Sequence, residues 1–165
     1  MPEVTTYYLQ MTSPDELVDK TESNGLIVTE AEINEYRFNR YLYQLVGEQW
    51  QWIDKLSLPD EAWRAYVESP DLRTWVGYHK GSIAGYYELE SKADGEVELA
   101  YFGLAPGFIG KGFGGYFLSR AIKSAWTVSG VQRVTVHTCT LDHPRALQNY
   151  QARGFALYKD ETETV

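Results

Sequence analysis

Leu104-Ala-Pro-Gly-Phe-Ile-Gly-Lys-Gly-Phe-Gly-Gly115 joins an apolar strand at residues 97–104 to a helix through a glycine-rich loop. The first amides of a helix have no intrahelical acceptor and lie at the positive end of its dipole. The glycines leave these amides bare, and Lys111 adds a positive charge. We therefore predict that residues 105–115, the glycine loop, bind a phosphate or pyrophosphate.

Two common nucleotide-binding motifs do not explain the glycine loop. Gly110, Gly112 and Gly115 have the spacing G-x-G-x-x-G, but no acidic residue follows about twenty positions on, as dinucleotide binding requires. Only the 50 residues after Gly115 remain to complete a doubly wound domain, which is too few. A Walker A loop is excluded by Ala105 and Gly112, which replace its first glycine and its Ser or Thr. A purely structural loop is the alternative, although six glycines between positions 103 and 115 exceed the needs of one turn.

Composition and charge narrow the classes of partner. The 165 residues fit one domain, 1–165, with a sizeable core. The 15 basic and 23 acidic residues give a net charge of −8, which argues against nucleic acid as a partner. An acidic surface suits cationic small molecules, although solubility alone explains the charge equally well. The 13 tyrosines, 5 tryptophans and 6 phenylalanines indicate a dense core or, alternatively, a ligand channel or a subunit contact.

The sequence shows no feature of export or membrane insertion. Its N-terminus lacks the basic and apolar regions of a signal peptide, and no apolar run is long enough to span a bilayer. The single cysteine, Cys139, has no internal partner for a disulfide. We expect a soluble cytoplasmic protein.

Hydrophobic periodicity predicts one mixed α/β domain. A first strand (5–11) and two helices (33–52 and 59–67) precede three strands (73–79, 82–90 and 97–104) that turns at Lys80-Gly81 and Asp94-Gly95 join into an antiparallel meander. The helix that follows the glycine loop ends near Gly130. It leads to a strand at 133–140, which we expect to pair in parallel with 97–104 because a helix joins the two. A helix at 144–153 and a strand at 155–159 follow, and we expect the acidic tail to fray.

Residues 73–159 resemble the GCN5-related N-acetyltransferase (GNAT) superfamily in the order of their motifs. The shared order is a strand, Leu104-Ala-Pro, Gly110-Lys-Gly-Phe-Gly114, a long helix, a strand, and then Pro144-Arg-Ala146, Tyr150 and Gly154-Phe155. Residues 1–72 match only in general layout and form the part of the family that varies with the acceptor. The resemblance implies a mostly antiparallel central sheet with one splayed parallel pair, flanked by helices.

The same resemblance implies acetyl-CoA as the acetyl donor, and we expect no metal. The pyrophosphate would bind the loop formed by Ile109, Gly110, Lys111, Gly112, Phe113 and Gly114. The pantetheine arm would lie along Phe102, Gly103 and Leu104 like an added strand, and a backbone N–H there would polarise the thioester carbonyl.

The chain departs from the family pattern in three places. Ile109 stands where the family usually has Gln or Arg, which removes one polar contact to the pyrophosphate. His143 stands where an Asn commonly begins the last helix motif and contacts the pantetheine. The family's final long strand after Gly154-Phe155 is expected to be absent, so that another segment or a second subunit of a homodimer would cover the sheet edge.

Two residues are the candidates for proton transfer. Glu98 lies where some relatives have their general base, and burial beside the coenzyme would raise its pKa. Alternatively, Glu98 is a solvated carboxylate at the edge of the sheet, as is Glu96 on the same face. Tyr150 matches the family's tyrosine that protonates the coenzyme sulfur. Its alternative role is packing in the core, since Ala146 and Leu147 share its helix face.

Other reactive side chains are weaker candidates. Cys139 and His137 lie on one face of a strand without a third group, so a buried structural cysteine is favoured over a nucleophile. The three histidines lack metal-ligand spacing. Glu88 and Glu90 are favoured as exposed residues over binders of a cationic acceptor.

The sequence therefore predicts an N-acetyltransferase that moves acetyl from acetyl-CoA to a primary amine by direct attack in a ternary complex. The acceptor is a small molecule or a protein amine. The alternative is a non-catalytic module that binds and senses acyl-CoA.

Overall fold

A computed structural model describes residues 2–50 and 52–164. In chain order the strands and helices are β1 (Glu3–Met11), β2 (Ile27–Glu30), α1 (Tyr36–Gly47), α2 (Asp60–Glu68), β3 (Leu72–His79), β4 (Ser82–Ser91), β5 (Glu96–Leu104), α3 (Gly114–Trp126), β6 (Arg133–Cys139), α4 (Ala146–Ala152) and β7 (Ala156–Thr164). Short 3-10 turns lie at Pro14–Glu16, Glu48–Trp50, Ala93–Gly95 and Pro106–Phe108.

The strands form a 7-stranded sheet in the order β2-β3-β4-β5-β6-β1-β7. The antiparallel meander β3-β4-β5 and the parallel pair of β5 and β6 confirm the pairings expected from the sequence. The other pairings, β2 with β3 and β1 with both β6 and β7, are antiparallel.

The two faces of the sheet bury separate hydrophobic clusters. On one face α3 and α4 pack over the centre of the sheet, with Phe117, Leu118 and Ile122 among the buried residues. On the other face α1 and α2 cover β3, β4 and β5, with Tyr43 and Trp63 fully enclosed. The alternation of side chains along each strand supplies both faces.

β5 and β6 separate after three residue pairs. Their parallel register ends at Glu98 and Thr135; beyond this point β5 stays paired with β4, and β6 stays paired with β1. The sheet therefore opens between Leu99–Leu104 of β5 and the end of β6, and we call this opening the cleft.

Helix α1 is shorter than the predicted helix at 33–52. It begins at Tyr36 because the Glu35 side chain accepts a hydrogen bond from the Arg37 amide and caps the helix. Ile33 lies outside the helix and is 86% exposed. The four-residue strand β2 was not expected, because it is too short to show a period.

The prediction that the C-terminal tail frays and that a final long strand is missing is wrong. β7 has nine residues and pairs antiparallel with β1 from Glu3 to Gln10. All its side chains are exposed, so backbone hydrogen bonds to β1 order the strand and hydrophobic burial does not. The edge beyond β6 is thus covered within the chain, first by β1 and then by β7.

Among the described residues, no helix is both long and apolar enough to cross a bilayer.

We expect Leu9→Ala to lower the free energy of unfolding by about 2–5 kcal/mol, because Leu9 is fully buried between β6 and β7. Leu157→Ala is the matched control: Leu157 lies opposite Leu9 on β7 but is 42% exposed, so its loss should cost less than about 1 kcal/mol. Urea unfolding of the two variants measures both values. Equal costs would contradict the position of β1 between β6 and β7.

Candidate active site

The glycine loop places bare backbone amides at the start of α3. Gly110 and Gly112 have φ angles of +76° and +88°, which L side chains rarely adopt. A β-carbon added at Gly110 would meet no atom within 4 Å, so the surface above the loop is open. Phe113, the N-cap residue of α3, supplies no side-chain cap, which leaves the first amides of the helix free for an anion.

Residues distant in sequence support the glycine loop. The Asn24 side chain donates to the Gly112 carbonyl at 3.1 Å, and the Asn149 side chain lies 3.4 Å from the Gly114 carbonyl. The Phe113 ring packs against His79 at 4.9 Å. Lys20 lies so close to Gly115 that an added β-carbon there would meet its Cδ at 2.7 Å, and it is a second cation beside Lys111. Sequence patterns could not reveal Asn24 or Lys20, since neither belongs to a local motif.

The strand next to the cleft presents its two faces to different partners. Phe102 and Leu104 face the cluster under α3 and α4, whereas Tyr101 faces α1 and α2. Gly103 lies under Val46, and an added β-carbon would be 2.6 Å from its Cγ1. The predicted pantetheine residues Phe102, Gly103 and Leu104 thus line the cleft, beyond the last pair shared with β6.

Tyr150 lies on α4 and reaches β5 from the other side of the cleft. Its ring packs edge-on against Phe102 at 6.2 Å and Phe155 at 5.9 Å. Burial raises the pKa of the Tyr150 hydroxyl, so this group keeps its proton at neutral pH. The ring of Tyr150 thus packs in the core, as its alternative role requires.

Glu98 lies at the point where β5 and β6 separate. One carboxylate oxygen is 3.2 Å from His137 Nδ1, and the other is 3.2 Å from Lys92 Nζ. The hydrogen bond to His137, and secondarily the charge of Lys92, lower the pKa of Glu98 despite its partial burial. Burial does act to raise the pKa of Glu98, but these two partners outweigh it, so the expected net rise is wrong. The same hydrogen bond raises the pKa of His137.

Glu96 shares the face of Glu98, as its spacing indicated. It accepts a 2.6 Å hydrogen bond from Thr135 and a 3.4 Å contact from Arg133, both on β6. Glu96 thus connects the two strands just before they separate.

A bridge of two tryptophans crosses the cleft on the side of α1 and α2. The Trp52 ring lies over Tyr101 at 5.1 Å, and its indole N–H donates to Asp142 at 3.3 Å. Asp142 in turn accepts hydrogen bonds from the end of β6. The Trp50 ring lies 5.2 Å from that of His143, whose Nδ1 accepts from the Arg145 amide.

Glu88 is fully buried, and the expectation that it is exposed is wrong. Its carboxylate accepts hydrogen bonds from Tyr66, Tyr86 and Asn39 at 2.5, 2.9 and 2.9 Å. Glu90, two residues on, is half-buried. Local sequence patterns do not predict this burial, because the donors come from α1 and α2 as well as from β4 itself.

Cys139 is half-buried, and burial raises the pKa of its thiol, which disfavours the thiolate of a nucleophile. His137, the nearest histidine in sequence, is bonded to Glu98. In the described part of the chain, no three His, Cys, Asp or Glu side chains converge as metal ligands do.

Comparison with known proteins assigns the family. The family model described as "Acetyltransferase (GNAT) family" matches residues 39–155, which is most of the chain. No curated protein matches the sequence.

Several solved structures share the fold at low identity. A GCN5-related N-acetyltransferase from Kribbella flavida superimposes with a TM-score of 0.69 at 16% identity, over 96% of this chain and 56% of that one. A spermidine N-acetyltransferase from Vibrio cholerae, in complex with CoA and spermine, has a TM-score of 0.63 at 20% identity, over 81% of this chain and 82% of that one. An aminoglycoside acetyltransferase from an uncultured soil metagenomic sample, in complex with sisomicin, has a TM-score of 0.60 at 15% identity, over 79% and 86%.

The chain spans little more than half the length of the Kribbella protein. The matched family model, the splayed pair of β5 and β6 and the glycine loop at the start of α3 agree with one another. The chain belongs to the acetyltransferase (GNAT) family.

Proposed function

We propose that the protein transfers acetyl from acetyl-CoA to a primary amine by direct attack in a ternary complex. The observation that carries this proposal is the cleft between β5 and β6, which has bare helix amides at one end and proton-transfer groups along its walls. Acetyl-CoA supplies an activated acetyl thioester.

The residues of the cleft fit the parts of this donor. The amides from Gly110 to Gly114, with Lys111 and Lys20 nearby, would hold the pyrophosphate. The β5 backbone beyond Glu98 has no partner on β6 and can hydrogen-bond an extended arm. Ile109 supplies no polar contact, so the backbone amides and the two lysines would stabilise the negative charge of the pyrophosphate.

Three side chains could transfer the protons that the reaction moves. An attacking amine must be neutral, so its proton has to leave before the C–N bond forms. Glu98 is charged at neutral pH and bonded to His137, and the pair would accept this proton directly or through water. Tyr150 keeps its hydroxyl proton and would donate it to the departing sulfur.

We propose a small aliphatic amine as the acceptor. The net charge of −8 favours a cationic substrate. The Vibrio cholerae relative is described as a spermidine N-acetyltransferase, and another relative acts on aminoglycosides. A protein amine is the other acceptor class, and cytoplasmic location and a homodimer stay predictions from the sequence.

A specific observation favours the second candidate function, a module that binds acyl-CoA without catalysis. The Trp50 and Trp52 bridge covers the side of the cleft from which an acceptor would approach. A sensing module needs no acceptor entry, whereas an enzyme needs this bridge to move.

Thiol release from acetyl-CoA over a panel of amines tests the function. We expect at least one amine to accelerate release, and we expect Tyr150→Phe and Glu98→Gln to lower kcat by about 10²–10⁴-fold with little change in the Kd for CoA. Tyr41→Phe is the control, since Tyr41 is exposed on α1. If CoA binds but no amine accelerates release, the non-catalytic module is the better assignment.

Gly112→Asp should weaken CoA binding at least about 100-fold, through the added bulk and the repulsion between carboxylate and pyrophosphate. Gly130→Asp makes the same change at φ +77° beyond the far end of α3, where an added β-carbon meets no atom within 4 Å. Titration calorimetry should show unchanged affinity for this control. Equal affinities in the two variants would mean that the pyrophosphate binds elsewhere.

The pKa of His137 should fall in Glu98→Gln, because the carboxylate that stabilises the imidazolium is gone. Lys92→Met should raise it, since the charge of Lys92 opposes protonation of His137. In the wild type the ion pair stabilises the fold fully below the ordinary His pKa of 6.5 while Glu98 stays ionised, and this stabilisation is lost as pH rises through the raised pKa of His137. NMR titration of the His137 ring protons measures all three proteins. Identical midpoints would show that the pair does not form.

A further inference from the structure

A buried carboxylate and four aromatic rings form a chamber beside the cleft. Glu88 lies at its floor, fully buried and held by hydrogen bonds from three neutral donors. The walls of this Glu88 chamber are the rings of Tyr43, Trp63, Tyr66 and Tyr101. One full negative charge surrounded by aromatic faces is an arrangement that favours a cation.

The chamber is occupied by a cation of the chain itself. Lys55 Nζ lies 3.9 Å from the centre of the Tyr66 ring and 4.6 Å from that of Tyr101. Its distance to the nearer Glu88 oxygen is 3.5 Å, without hydrogen-bond geometry. The residue is only 8% exposed, so three N–H donors are buried without an acceptor. Such donors cost free energy, which makes Lys55 an imperfect guest.

The residues that form the chamber lie in helices and strands, whereas Lys55 lies in a turn. The walls and floor belong to α1, α2, β4 and β5, and the Asn39 amide that holds Glu88 also accepts from Trp63. Lys55 belongs to the irregular turn that follows the Trp50 and Trp52 bridge. Exposed apolar side chains, Ile53 and Leu56, flank it in that turn. The chamber can therefore keep its shape when Lys55 leaves.

The chamber also adjoins the coenzyme strand. Tyr101 is both a wall of the chamber and the residue before Phe102 on β5, and it pairs with Glu88 across the sheet. Trp52 separates the chamber from the cleft, since its ring packs on Tyr101 and lies above Gly103. A movement that withdraws Lys55 shifts the turn that also carries Trp52, and it would open the path between chamber and cleft.

We propose that the Glu88 chamber binds an alkylammonium group of the acceptor, and that Lys55 is a tethered guest which the acceptor displaces. This assignment rests on the proposed function and specifies its substrate class. Because a second amine must reach the cleft while the first stays bound, the acceptor is a linear aliphatic diamine. A guanidinium has five N–H donors in one plane and an ammonium has three, so an ammonium is the better match for a chamber with one carboxylate that already accepts three hydrogen bonds.

Binding of 1,5-diaminopentane to the full chain, measured by titration calorimetry without acetyl-CoA, tests the assignment. In the wild type the diamine competes with Lys55. Its apparent affinity is therefore its intrinsic affinity multiplied by the fraction of molecules in which Lys55 has left the chamber. We expect Lys55→Ala to bind the diamine at least about tenfold more tightly. Lys123→Ala, which removes a lysine paired with Asp19, is the matched control and should leave the affinity unchanged.

A second change in the Lys55→Ala background locates the ligand. Glu88→Gln should abolish the increase in diamine affinity. Tyr101→Leu, which removes one wall of the chamber, should reduce that increase, and it replaces Glu88→Gln in the test if that variant does not fold. Lys55→Gln, whose side chain is shorter and uncharged, should also increase the diamine affinity, but by a smaller factor. It replaces Lys55→Ala in the test if that variant does not fold. No gain on removing Lys55, or a gain that persists without Glu88, would overturn the assignment.

Kinetics separate this assignment from the proposed function. With the diamine as acceptor, Lys55→Ala should lower KM by a similar factor, whereas a purely structural ion pair gives no such decrease. If the predicted order of binding affinities holds but no amine releases thiol, the proposed function fails and the chamber remains a diamine site. If thiol is released with some amine while Lys55→Ala neither binds the diamine more tightly nor lowers KM, the chamber assignment alone fails.

Discussion

The separation of β5 from β6 creates the cleft, and other contacts must then hold each of the two strands in place. Two parallel strands that begin in register stop pairing after Glu98 and Thr135, which leaves the β5 backbone beyond that point without its second neighbour. Unpaired backbone groups are costly when buried, so this geometry persists only where other contacts support each strand separately. β4 holds β5, and β1 holds β6. Glu96 links the strands to Thr135 and Arg133 just before the separation.

Much of this arrangement follows from local sequence. The glycine loop, the meander and the parallel pair are encoded by turns, strand alternation and one helix, and each of these lies within a few tens of residues. Tyr150 became a candidate for the same reason, since its motif is contiguous. The supports of the loop were not predictable in this way. Asn24 bonds Gly112, 88 positions away, and such a contact has no local pattern.

The side-chain environments were harder to predict than the backbone. Glu98 and Glu88 both lie on alternating strands, and the sequence suggested a raised pKa for one and exposure for the other. In the structure Glu98 contacts His137 of β6 and Lys92 from the turn before β5, and Glu88 lies beneath two helices. In both cases the partners come from elements whose docking depends on the whole fold. A carboxylate's chemistry is thus fixed by tertiary contacts that neither spacing nor composition reports.

The position of β1 also sets the order in which the protein can fold. β1 pairs with β6 and β7, so residues 3–11 pair with residues that lie more than 120 positions later in the chain. Contacts of such long range form slowly, because the loop between them must close first. During synthesis the meander can assemble early, while one wall of the cleft forms only after β6 and β7 have emerged. Until then β1 is an unpaired strand that depends on protection from aggregation.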